Sequence, residues 1–262
     1  MNKQSTVMAI DTSTATMAGA VLSGQQLLAQ VQTEAERNHS IHIMTNIEAM
    51  LKEGGLKLTE LDGIVTGIGP GSYTGVRIAV TAAKTLAWTT AKPLIGISSL
   101  AALAISGVMA EPKRGSALII PIMDARRGQV YTAAFLVDDK ENSSGQRLHK
   151  DHIVMMEQWC TDWSLKLDEL KSQGIETVLI VGDVDKHEES IVTFQASAAT
   201  HGIQVVSSSQ PMNGRALAEL GRGEWLAEER TFMKEAHELV PNYAQLTEAE
   251  VKQNAKEQGE GK

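Results

Sequence analysis

Residues 67–77 constrain this chain more than any other stretch. They read Gly67-Ile68-Gly69-Pro70-Gly71-Ser72-Tyr73-Thr74-Gly75-Val76-Arg77. Four glycines and a proline within nine residues exclude both a helix and a regular strand, because glycine adds backbone entropy and proline removes a donor. The stretch is a shaped turn. Before it, residues 61–66 read as a short buried strand. After it, Val76, Ala79, Val80, Ala83 and Ala87 recur at helical spacing to about Thr90, with Ser72 or Thr74 able to cap. A strand, a glycine turn and a helix start gather backbone N–H groups at the positive end of a helix, a geometry that invites an anion.

The obvious phosphate and nucleophile motifs do not fit. A P-loop needs Gly-Lys-Ser/Thr, and Gly75 is followed by Val76 and Arg77. A dinucleotide fingerprint begun at Gly67 would need a glycine at Ser72, and a nucleophile elbow at Ser72 would need glycines at Pro70 and Thr74. The alternative to anion binding is a tight turn that packs a helix closely on a sheet.

The helix after the turn is apolar over an arc of roughly 200°, where one core contact needs little more than about 100°. Ile78, Ala82, Leu86, Ala79, Ala83, Val76, Ala87 and Val80 make that arc. Arg77, Thr81, Lys84 and Thr85 form a polar strip that Trp88 interrupts. A wide alanine-rich face with a stray tryptophan points to a protein partner, since aromatic anchors dominate interface energetics. A Glu at Val80 or Ala83 should break assembly if its side chain reaches that partner.

At 262 residues and 42% hydrophobic, the chain can bury one large core or two modest ones. Its net charge of -8 argues against autonomous nucleic-acid binding, which clustered Lys and Arg drive. Cys160 is the single cysteine, which leaves no disulfide framework or cysteine metal site and fits a reducing compartment. About five apolar residues before Asp11 are too few for a signal peptide or a membrane span, so the expected location is the cytoplasm.

Read in order, the chain opens with an apolar run ending at Asp11, a polar turn (Thr12, Ser13, Thr14), a strand at 17–22 and another at 27–31. A helix follows over 40–52, with Ile41, Met44, Ile47 and Leu51 on its core stripe and Ile43 and Met50 flanking it. After the glycine turn and its helix come a strand at 94–97 and a helix to about Met109. The grammar then restarts: a strand at 118–123 ending on Asp124, a hairpin through Ala125-Arg126-Arg127-Gly128, strands at 129–137 and 152–155, a helix at 159–170, a strand at 178–181, a helix at 188–199, a strand at 203–206 and a helix at 214–229. This predicts an α/β chain built from two duplicated β-β-β-α-β-α units, 1–110 and 111–213, with helix 214–230 returning to the first. Residues 245–262 read as a flexible polar tail.

Two units that each end a first strand on Asp resemble the fold of sugar kinases, actin and Hsp70 ATPase domains, which are ribonuclease-H-like. Three blocks narrow the resemblance: Ala9-Ile10-Asp11-Thr12-Ser13-Thr14, residues 69–77, and residues 121–131, Pro-Ile-Met-Asp-Ala-Arg-Arg-Gly-Gln-Val-Tyr. In order and spacing they look like the TsaB (YeaZ) family; the second half matches in layout only. The resemblance implies an actin-like fold with a degenerate second domain. It also implies a non-catalytic scaffold that supports TsaD, with TsaE, in placing a threonylcarbamoyl group on the adenosine beside the anticodon of tRNAs. Its two first-domain helices would meet TsaD, or a second copy when TsaD is absent. On that reading Ile43, Met50, Ile78, Ala79, Ala82 and Leu86 face the partner, and tRNA is met only through the complex. The family commonly closes on Glu-Pro-x-Tyr-Leu-Arg, of which this chain keeps Pro241 and Tyr243.

Two further chemistries stay open as alternatives. An actin-like phosphotransferase would use Asp11 and Asp124 to position magnesium or water, with Thr12, Ser13, Gly71 and Ser72 near a phosphate; otherwise both carboxylates bond the N–H groups of their own turns. No tightly bound cofactor is expected, with ATP or ADP at most at the complex interface. A glycoprotease-like metallopeptidase is the weaker alternative. His39 and His42, near Glu36 and Glu48, lack a third ligand and His-Glu-x-x-His is absent, so no metal site is expected.

Overall fold

The computed structural model describes residues 5–34, 39–111, 115–138, 145–227 and 236–244. The polar tail 245–262, the end of the returning helix at 228–230, Glu36 and the His39 side chain lie outside what is described.

Two five-stranded sheets carry the fold. The first comprises β1 (Thr6–Asp11), β2 (Thr16–Ser23), β3 (Gln26–Glu34), β4 (Gly63–Gly67) and β5 (Leu94–Ile97), in the order β3-β2-β1-β4-β5. The second comprises β6 (Ala117–Asp124), β7 (Gln129–Val137), β8 (Gln146–Met155), β9 (Thr177–Gly182) and β10 (Gln204–Ser208), in the order β10-β9-β6-β7-β8. The two orders are the same: first, second and third strands form an antiparallel meander, and fourth and fifth add in parallel on the other side of the first. The duplication is thus present strand by strand, and each unit is a mixed sheet of the actin-like, ribonuclease-H-like type.

The helices pack in three layers. α1 (His39–Glu53) and α2 (Tyr73–Thr90) cover the outer face of the first sheet, with Ile43, Ile47, Met50, Ala83 and Ala87 over Met8, Ile10 and Ile64. α4 (Met156–Ser164), α5 (Leu167–Ser172) and α6 (Glu188–Thr200) cover the outer face of the second through Trp159, Trp163, Leu167 and Phe194. Between the sheets lie α3 (Ser99–Ala110) and α7 (Gly214–Ala227), which pack on each other. Each crosses over: α3 follows a strand of the first sheet and packs on β6, β7 and β9, whereas α7 follows a strand of the second and packs on β1, β2 and β4. One central cluster consequently joins both lobes, from Val7 and Val65 to Ile119, Phe135 and Leu179.

α3 is apolar on all sides because both lobes enclose it; Leu100, Ala102, Leu103, Ala104 and Ile105 are all buried. α1 shows the opposite. Its apolar residues exceed one stripe, and the sheet selects which set goes inside. Met50 packs where β2 carries Gly19; a Cβ at 19 would stand 2.9 Å from Met50 Cε. That contact turns Ile43, Ile47, Met50 and Leu51 inward and leaves Ile41 67% and Met44 51% exposed. The core stripe read through Ile41 and Met44 is therefore displaced by part of a turn.

Candidate functional site

Two surface features emerge from this arrangement, a groove on the outer face of the first lobe and a cleft between the lobes. The groove, about 490 Å³, runs between α1 and α2 and is walled by Ile43, Met44, Ile78, Ala82 and Leu86. Tyr73, Arg77, Thr81 and Thr85 form its polar margin. Tyr73 is half exposed at one end, its hydroxyl accepting a hydrogen bond from Arg77 Nη1 at 2.9 Å. Trp88 is half exposed one turn beyond Thr85.

Of the six residues read as partner-facing, Ile43, Ile78, Ala82 and Leu86 line this groove. Met50 and Ala79 do not: they are 1% and 0% exposed and belong to the lobe's own core, Met50 seated over Gly19 and Ala79 on the sheet side of α2. Val80 and Ala83 are likewise buried. The wide arc of α2 is explained in part by its own chain, since Val76, Ala79, Val80, Ala83 and Ala87 face inward. Ile41 and Met44, which helical spacing places on the core stripe, instead extend the apolar surface from α1.

The cleft, about 620 Å³, is lined by Ser13, Thr14, Gly71, Ser72, Tyr73 and Thr74 from the first lobe. From the second come Met123, Asp124, Ala125, Arg126, Tyr131, Asp183 and Lys186. Four of the residues placed near a phosphate, Ser13, Gly71, Ser72 and Asp124, meet here. Asp11 and Thr12 do not reach it; both are buried behind the glycine turn.

The glycine turn is shaped by the turn after β1. Ser72 N–H donates to Ser13 O at 2.7 Å, Thr12 Oγ1 donates to Gly75 O at 2.6 Å, and a Cβ on Gly75 would stand 1.9 Å from Thr12 O. Several backbone donors of the turn are committed within the fold. Ile68 N–H bonds Ile97 O, Gly69 N–H bonds Ser99 Oγ, Gly75 N–H bonds the capping Ser72 Oγ, and Val76 N–H bonds Ser72 O. Asp11 is committed too: it accepts from Ser13 N–H at 2.6 Å and from Ser99 Oγ at 2.5 Å.

Asp124 sits at the cleft mouth. Its Oδ1 accepts from Arg126 N–H at 3.1 Å, Lys186 Nζ lies 3.3 Å from Oδ2, and the His187 ring lies 3.5 Å from Oδ1. Its own N–H donates to Asp183 Oδ2 at 2.8 Å. Burial alone would raise the Asp124 pKa; the Arg126 N–H, the Lys186 ammonium and His187 outweigh it and hold the carboxyl below its ordinary value of 3.8. Among the described residues, no three His, Cys, Asp or Glu side chains come together as a metal centre would require.

Two lobes of the same strand order with exchanged central helices define a protein of the actin-like fold. A sequence profile described as "TsaD: tRNA N6-adenosine threonylcarbamoyltransferase" matches residues 26–253. The chain is 34% identical over 247 residues to the tRNA threonylcarbamoyladenosine biosynthesis protein TsaB of Bacillus subtilis, covering 94% of this chain and 97% of that one. It is 32% identical over 162 residues to TsaB of Escherichia coli, covering 60% and 68%. The solved structure of YeaZ from Pseudomonas aeruginosa shares the fold, with a TM-score of 0.71 at 23% identity over 91% of this chain and 99% of that one. This chain belongs to the TsaB family, and the role that goes with the family is in threonylcarbamoyladenosine biosynthesis. No helix among the described residues is long and apolar enough to cross a membrane.

Proposed function

We propose that, within threonylcarbamoyladenosine biosynthesis, this chain acts as a non-catalytic scaffold whose α1–α2 groove receives a TsaD-type transferase subunit, or a second copy of this chain when that subunit is absent. TsaE and tRNA join through the resulting complex, in keeping with a net charge of -8 that gives this chain little attraction for phosphate by itself. The observation that carries the reading is the groove. Its walls are carbon, and Ile41 and Met44 continue it onto open surface, a combination that marks an interaction site. The buried, internally bonded Asp11 supports a scaffold over a catalyst.

Ala82→Glu tests it. The position is half-buried in the groove wall, on a helix that tolerates Glu, so the variant folds while a docked partner would have to bury an unpaired carboxylate. Calorimetric titration of the full-length chain with its TsaD-type subunit should show docking weakened by about 100-fold. A folded Ala82→Glu chain that docks like wild type rejects the reading.

The interlobe cleft favours one second reading, ATP-dependent phosphotransfer, with Ser13, Ser72, Arg126 and Lys186 around an anion. Saturable ATP binding by the isolated chain, weakened by Lys186→Ala and accompanied by release or transfer of the γ-phosphoryl group, would support it, and heat-silent titration would remove it.

A further inference from the structure

Residues 236–244 lie along α2. The His237 ring meets Trp88 edge-on with centroids 4.8 Å apart, and the His237 and Leu239 carbonyls accept from Lys84 Nζ at 3.4 and 3.0 Å. The Tyr243 ring lies 5.3 Å from that of Tyr73. Positions 73, 84 and 88 fall within about 60° of one another on a helical wheel, so the segment follows one line along α2, antiparallel to it. That line borders the groove, because Tyr73 belongs to both. The polar strip broken by Trp88 is therefore the seat of the chain's own late segment.

The same segment reaches the other lobe. Asn242 N–H donates to Ile68 O at 2.7 Å, at the start of the glycine turn, and the Asn242 side-chain amide donates to Asp151 Oδ2 at 3.1 Å, on β8. Asp151 is a firm anchor: its side chain is 8% exposed and pairs with Arg147, whose guanidinium lies 4.6 Å over the Phe135 ring. Tyr73 in turn stands between Tyr243 and the Arg77 guanidinium, 5.2 Å from its ring centroid.

We infer that residues 236–244 form a clasp that sets the groove-bordering side of α2 and ties it to the second lobe, so that docking at the groove depends on Tyr243 and Asn242. This rests on the reading of the groove as the partner surface. Both are positioning residues: Tyr243 backs Tyr73 at the groove's end, and Asn242 holds Tyr243 in place against Asp151. An ordered Tyr73 costs a partner less entropy to engage than a loose one.

The test uses the full-length chain titrated with the TsaD-type subunit, with a thermal melt of every variant. Tyr243→Ala and Asn242→Ala should each weaken docking about tenfold while melting within a few degrees of wild type. Tyr243→Phe, which keeps the ring, should dock within about twofold of wild type. Asn242→Asp, which sets a like charge against Asp151, should match Asn242→Ala. Wild-type affinity in both alanine variants, alongside lost docking in Ala82→Glu, would keep the groove as the partner surface and overturn the clasp. So would docking lost only in proportion to the unfolded fraction, which would make the segment a structural strap. If folded Ala82→Glu docks normally, the groove reading fails and the clasp falls with it.

Discussion

Ser99 Oγ lies 2.5 Å from Asp11 Oδ2, joining the first turn of α3 to the end of β1 across 88 positions of sequence. The same hydroxyl accepts from Gly69 N–H at 3.0 Å, so one buried serine connects the central helix, the first strand and the glycine turn. A carboxylate at the end of such a strand invites a catalytic reading, yet this one is consumed by structure. Asp11→Ala should accordingly cost about 3 kcal/mol, because it strands the Ser99 hydroxyl and the Ser13 N–H in a buried site. Urea unfolding measures the loss. A variant as stable as wild type would show that the bond is worth little.

How far the residues announce the fold depends on what kind of contact each makes. The duplication was legible because apolar runs that end on Asp11 and Asp124 are local features, and strand pairing simply realises them. The phase of α1 was not. Ile41, Ile43, Met44 and Met50 are equally apolar, and the space above Gly19 that selects Met50 belongs to another element. β8 extends further toward its start than its apolar residues show, for a different reason: its first half carries Arg147 and His149 and is held by backbone pairing with β7. Of the candidate sites, the groove followed from excess apolar arc, whereas the late segment on Lys84 and Trp88 has no periodicity to reveal it.

Acid should weaken the chain through Asp124. Its folded pKa is depressed, so its stabilising contribution is complete above the ordinary carboxylate value of 3.8 and is lost as pH falls through the lower folded value. The stability of Asp124→Asn should fall less steeply than that of wild type in that window, with wild type the more stable of the two at neutral pH. Urea midpoints collected from pH 7 to pH 3 give both curves. Parallel curves would mean that Lys186 and Arg126 N–H do not favour the ionised form.

Cys160 should behave as an inert thiol. It is buried beneath α6 with the second outer core, and burial pushes its pKa up to about 12, leaving almost no thiolate at pH 8. A disulfide-exchange reagent should label the native chain slowly and the urea-unfolded chain at once. Rapid labelling of folded protein would reveal local opening between α4 and α6.

The hairpin between β6 and β7 holds two arginines in a backbone conformation that favours glycine. Arg126 and Arg127 have φ of 66° and 53°, in the left-handed region, ahead of Gly128 at 75°. For a residue with a Cβ that conformation costs roughly 1 kcal/mol, which a glycine avoids at some expense in unfolded-state entropy. Arg126→Gly keeps the N–H that Asp124 accepts, so the substitution isolates the side chain from the turn. Each glycine variant should be as stable as wild type or more stable by up to about 1 kcal/mol, by urea unfolding. If the arginines serve the complex, the same variants should lose threonylcarbamoylation in a reconstituted assay while keeping their stability. Variants that lose stability instead would place the two side chains in the fold's own bonding.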